Sequence, residues 1–247
     1  MTAAPEGRGP ADSAAVPWGG RELSPSGFET DTGAPDPALL AALAHHADDT
    51  TLMRALEASR LLVPVVAEPT AVDTSGEHPV DAGVDMAVVT LVAPDGRKAL
   101  PVFTGAPSLA IWDAAARPVP VTPARAAQAA VSEGCDVLVV DVAGPTTRVL
   151  RPSMLWALAQ DRPWEPPHTD PFVARGVAAA LSGEPAVVAH TVEEGAPAGE
   201  GVLGIVLTLA PGLDAEEVRA VATRVGERLA TDGELRARVD GLAFRIV

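Results

Sequence analysis

The residues able to do chemistry are few, and each sits in a setting that limits it. Gly199, Gly201 and Gly204 reproduce the spacing G-x-G-x-x-G, with which a dinucleotide-binding turn brings its backbone against a pyrophosphate. That turn follows a strand and opens a helix, so that the helix N-terminus faces the phosphates. Here the glycines precede the apolar run 202–209, which reads as a strand, and Glu200 stands where a phosphate would approach. The motif reads as a turn. His45 and His46 with Asp48 and Asp49 are metal-ligand types, but they straddle a helix break and no further ligands follow at metal-site spacing. They read as an exposed helix end, and His168 and His190 as loop or strand-end residues. Cys135, the single cysteine, lies beside Asp136, whereas an activated thiolate needs a positive neighbourhood. No G-x-S-x-G elbow places a nucleophilic serine. These readings assign no catalytic residue, no metal ligand and no cofactor.

Two places keep a claim on binding. Thr104 and Gly105 stand at a helix start, where free backbone N–H groups could hold an anion or carboxylate, although an ordinary helix cap uses the same residues. Trp164, Pro166 and Pro167 form a candidate interface, because tryptophan is enriched at binding hot spots and this one lies in a proline-rich stretch. Trp112 and Trp156 read as core.

The elements that must position these residues follow from pattern. Residues 1–36 are rich in Pro, Gly, Ser, Thr and Ala and read as a disordered tail, with Trp18 and Phe28 as its only anchors. Asp36-Pro37, Thr122-Pro123 and Asp170-Pro171 are N-cap-plus-proline helix starts, and Asp214 with Glu217 resembles a capping box. Residues 61–66 read as a strand with Pro64 at an edge or bulge. Residues 67–84 read as an exposed connection. They lead into the central stretch 85–112: an apolar strand buried on both faces, a turn at Pro94-Asp95-Gly96, and a return strand 98–103 that Pro101 places at an edge or gives a bulge. Residues 136–142 form the cleanest buried strand. The four prolines of 161–171 should hold that stretch extended and out of either core. Beyond it the order is α-β-β-α-β. The fold class expected is α/β (α+β), with two mixed-sheet domains whose helices pack on the sheets: 37–160, a linker 161–171, and 172–247.

Charge narrows the partners. With 18 Lys and Arg against 33 Asp and Glu, the net charge is −15, which disfavours nucleic acid and anionic membranes, since phosphate binding rests on basic side chains. One cysteine suits a reducing compartment, and no apolar run reaches the ~20 residues of a membrane helix. The N-terminus carries no basic patch followed by an apolar core, so the expectation is a cytoplasmic protein.

The run 61–66, the stretch DMAVVTLVAPDGRKALPVFTGAPSLAIW and the run CDVLVVDVAGP followed by a proline-led helix together resemble the N-terminal domain of the SseB family, and residues from about 172 to 247 resemble its C-terminal domain. The resemblance implies two α/β domains and a link, by the family's name, to serine sensitivity. It carries over no functional residue. The function expected is a non-catalytic protein-binding or adaptor module with an unidentified protein partner or a second copy of itself. The alternative is an amino-acid sensor or enzyme with its site near Thr104 and Gly105.

Overall fold

The computed structural model describes residues 27–46, 48–69 and 84–247. Most of the expected tail, including Trp18, and the connection 70–83 lie outside the described residues. Thr32–Val247 forms one compact unit. Its elements, in order, are α1 (Pro37–Ala44), α2 (Asp49–Glu57), β1 (Leu61–Pro69), β2 (Val84–Val88), β3 (Leu91–Val92), β4 (Lys98–Val102), α3 (Ala106–Trp112), β5 (Arg117–Val121), α4 (Pro123–Ser132), β6 (Val137–Val140), β7 (Arg148–Leu150), α5 (Pro152–Ala159), α6 (Pro171–Leu181), β8 (Val187–Glu194), β9 (Val202–Leu209), α7 (Ala215–Thr231), α8 (Gly233–Arg236) and β10 (Gly241–Ile246). The fold is α+β with mixed and antiparallel sheets.

The helix starts are capped as their sequences require. Asp36 Oδ1 accepts from the N–H groups of Ala38 and Leu39, Thr122 Oγ1 from Arg125, and Asp170 Oδ1 from Phe172. Asp214 and Glu217 close a reciprocal box at the head of α7. Each cap satisfies amide groups that a helix terminus otherwise leaves without partners.

Two sheets build the first half, in the orders β2-β1-β5 and β3-β4-β6-β7. The central stretch is therefore not one hairpin. Its first strand divides at Val89 and Thr90: β2 pairs with β1, while β3 contributes only Leu91 and Val92 to β4. Nor is the run buried on both faces, because Val92 is 65% exposed. A run that changes sheets midway cannot be covered along its whole length.

Proline explains how the sheets join. On the side of β4 away from β6, Ala99 pairs with Leu91 and Phe103 bridges to Leu62 in β1. Pro101 falls in the gap between those two contacts, where no acceptor awaits an N–H. β4 is thus interior to its sheet, in contrast to the edge position its proline suggests. Pro64 likewise occupies the middle strand β1, directly opposite Pro118 of β5. Two prolines cannot exchange N–H···O bonds, so this is a pair whose main-chain groups point away from each other. Pro118 and Pro120 then remove donors from the outer margin of β5, which protects an edge strand against further pairing.

The core of the first half gathers Leu39, Leu43, Leu52, Leu56, Leu100, Leu138 and Leu155 from α1, α2, β4, β6 and α5. The second half is built on the sheet β10-β9-β8, in which β9 is antiparallel to β8 and parallel to β10. Its own core joins Leu203, Ile205 and Leu207 of β9 to Val173, Val177, Val221, Val225 and Leu229 of α6 and α7. Two expectations need correction. Trp156 is 39% exposed instead of core, since α5 turns its apolar stripe through Met154, Leu155 and Leu158. The proline-rich stretch 161–171 is not held clear of the cores: Trp164 is buried in the first core and Pro167 is also buried.

Candidate functional site

The ends of the parallel pair β4 and β6 lie side by side, the position at which α/β sheets commonly offer binding crevices. β4 delivers Thr104 and β6 delivers Asp141, and the two lock together. Asp141 Oδ1 accepts from the Thr104 N–H at 2.9 Å, and its Oδ2 from the Thr104 hydroxyl at 2.8 Å. Both residues are buried. Asp141 stands at φ 50° and Ala143 at φ 67°, a left-handed region that non-glycine residues enter at a cost of order 1–3 kcal/mol. Thr147 Oγ1 donates to the Asp141 carbonyl at 2.8 Å and holds this turn. The 104–141 pairing is the element of the site that the sequence does not reveal, because nothing local to Asp141 points to a threonine 37 residues away.

The neighbouring N–H groups are also engaged. Gly105 donates to Ser108 Oγ at 3.4 Å, and Ala106 donates to the Gly33 carbonyl at 2.8 Å. Arg60 reaches the carbonyls of Thr104 and Ala34 and so ties the segment 33–35 across the helix start. Gly105 is extended, so its backbone angles suit any residue. Glycine is needed for space: a Cβ there would lie 2.9 Å from the Gly33 carbonyl oxygen and from Pro35. A carboxylate or anion would therefore have to displace Asp141, Ser108 or Gly33 to reach the N–H groups of residues 104–106.

Beside this locked corner runs a groove of about 210 Å³ walled by Pro35, Leu40, Pro107, Ile111 and Pro145. Leu40 is 39% and Ile111 63% exposed, so two large apolar side chains face water beside the paired N–H groups of residues 104–106. The groove offers shape and apolar surface more than hydrogen bonding.

Trp164, Pro166 and Pro167 lie on a second cleft, of about 350 Å³, at the seam of the two halves. Trp164 Nε1 donates to Ser153 Oγ at 3.1 Å, and the Arg151 guanidinium sits 5.9 Å above its ring. Arg151 donates to Asp240 Oδ2, to Asp49 Oδ2 and to the Gly199 carbonyl, and Arg148 donates to Asp49 Oδ1. Asp240 also accepts from the N–H and hydroxyl of Ser153. Both arginines of this cleft are thus neutralised by Asp49 and Asp240. Trp164, at 6% exposure, spends its surface on its own chain.

The remaining candidates stay apart. Gly199 and Gly201 take positive φ in the turn between β8 and β9, and a Cβ on Gly201 would collide with Asp240. Cys135 is buried, and that burial, with Glu133 close by, pushes its thiol up, away from a reactive thiolate. Among the described residues no three or more His, Cys, Asp and Glu side chains gather as a metal site. No helix among them is long and apolar enough to cross a membrane, and no buried side-chain polar atom lacks a hydrogen-bond partner.

No curated protein and no solved structure matches this chain. Residues 37–157 match the family model described as SseB protein N-terminal domain, a span that runs from the first residue of α1 into α5 and contains both Thr104 and Asp141. By that domain, the chain belongs to the SseB family.

Proposed function

We propose that this SseB-family chain is a non-catalytic protein-binding module, and that the groove beside Thr104 and Gly105 receives an apolar segment of a partner protein. One observation carries the reading: Leu40 and Ile111 project into an apolar, proline-walled groove beside which the donors of Thr104, Gly105 and Ala106 already have acceptors. Such a surface favours leucine-like side chains and gives a polar metabolite little to bind. The net charge of −15 selects for a neutral or basic partner. On this reading the serine sensitivity attached to the family name is an indirect consequence of a missing contact.

The test replaces Ile111 with a photo-crosslinking phenylalanine in the producing cell. A defined partner should be captured from position 111, not from the exposed position 149, and the capture should be lost when Leu40→Asp is added. Capture that ignores Leu40→Asp would sink the reading. So would a thermal shift with a free amino acid, which at 100 times its dissociation constant should add roughly 2.7 kcal/mol to stability.

A further inference from the structure

The sheet margins are blunted in different ways. β5 carries Pro118 and Pro120, while β3 and β7 run for two and three residues. β8 is an edge strand of eight residues without a proline. Its alternation is fixed by the Gly195 N–H, which donates to the Val202 carbonyl at 2.9 Å. Gly195, Glu193 and Thr191 thus turn their main-chain groups toward β9, and Glu194, Val192 and His190 turn theirs away from the sheet. A row of outward N–H and C=O groups is a template for another strand. The row is open to solvent: Val188 is 68% exposed, and Ala189, His190, Thr191, Glu193 and Glu194 are all exposed.

The side chains choose which strand fits. Val192 packs on the second core, and His190 and Glu194 flank it on the same face, two residues to either side. An antiparallel copy of β8, related by a two-fold axis through Val192, sets His190 of each chain opposite Glu194 of the other. It also sets Thr191 opposite Glu193 and Val192 against Val192, so the apolar side of the sheet continues across the axis. Moving the axis to His190 would stack imidazole on imidazole, and moving it to Glu194 would oppose two carboxylates. Glu194 Oε1 already holds the Gly199 N–H at 2.8 Å, which leaves Oε2 for an imidazole donor.

We propose that β8 is a homodimerisation edge, pairing antiparallel with β8 of a second copy in the register centred on Val192. The product is a closed two-fold dimer with a continuous six-stranded sheet, β10-β9-β8-β8-β9-β10. An edge pairing buries little area, so the association is concentration-dependent.

Sedimentation velocity of the full chain across a concentration series tests this. The wild type should move from monomer toward twice the monomer mass and stop there. Val192→Pro removes an outward donor without touching the bonds to β9 and should abolish the dimer; because Val192 also packs on the second core, the exposed His190 supplies the variants that leave that core intact. His190→Glu places like charges opposite Glu194 and should weaken association about tenfold, whereas His190→Lys should keep or tighten it. A wild type monomeric at every concentration would overturn the proposal. So would unchanged association in Val192→Pro, the same direction of shift for His190→Glu and His190→Lys, or growth beyond the dimer, which marks a heterologous contact such as β8 with β10.

Discussion

Asp141 shows how much of the site rests on single atoms. Its carboxylate takes both donors of Thr104, while its backbone holds the left-handed angle that starts the turn toward Gly144. Asp141→Ala leaves the Thr104 N–H buried without a partner, a loss of roughly 1–3 kcal/mol, and keeps the cost of the positive φ. Asp141→Asn retains an acceptor and belongs to the residue types that tolerate this angle, so it should lose less. Urea denaturation should rank the three proteins wild type, Asn, Ala. An alanine variant as stable as the wild type would remove Asp141 as the anchor of this corner.

At the scale of elements, α7 is fastened to the end of α6 through Glu184. Its side chain is buried, its two oxygens meet Arg224 at 2.8 Å and Arg228 at 2.8 Å, and Arg228 also donates to the Ala180 carbonyl. The hydrogen bond from Arg224, reinforced by both positive charges, holds the Glu184 carboxyl below the usual glutamate range. A depressed folded value means stability that is present above the unfolded pKa and lost as pH falls through the folded one. Glu184→Gln should therefore melt below the wild type at neutral pH, and the gap should close as pH falls below about 4. A gap that persists in acid would show that packing, not charge, joins the two helices. Helix starts of this kind were legible in the sequence, because a cap and a proline act over three residues, and Asp36, Thr122, Asp170 and Asp214 all cap as read. The order α-β-β-α-β after residue 171 was legible too, with only the short α8 added. What depended on partners distant in the chain was not. The division of 85–92 between two sheets is set by β1 and β4, the interior place of Pro101 by the gap between Leu91 and Leu62, and the burial of Trp164 by Ser153 and Arg151. Thr104 and Gly105 could be picked out as a helix start, but the acceptor that fills the Thr104 donors comes from the end of β6 and the one for Ala106 from residue 33, which no local pattern encodes.

At the scale of the whole molecule, two apolar cores share one compact unit, and the seam between them is polar. Asp240 bonds across it three times. From the second half it accepts from Arg151 Nε at 3.1 Å and from the Ser153 N–H and hydroxyl at 2.7 Å each, with its side chain only 7% exposed. Arg151 in turn returns to Asp49 and crosses to Gly199. Asp240→Ala would leave the Ser153 N–H and the Arg151 Nε without their acceptor while Arg151 keeps Asp49, a loss of roughly 1–3 kcal/mol. Because each half keeps its own core, that loss should fall on the coupling between them and leave each half able to fold. The tryptophans provide a convenient reporter: all four, at 18, 112, 156 and 164, precede the second half, so fluorescence follows the first half while far-ultraviolet circular dichroism follows both. In guanidinium the two signals should change together for the wild type and separate for Asp240→Ala. Coincident transitions in the variant would mean that the cores cooperate through contacts other than this network, and the seam would then be a consequence of their docking and not its cause.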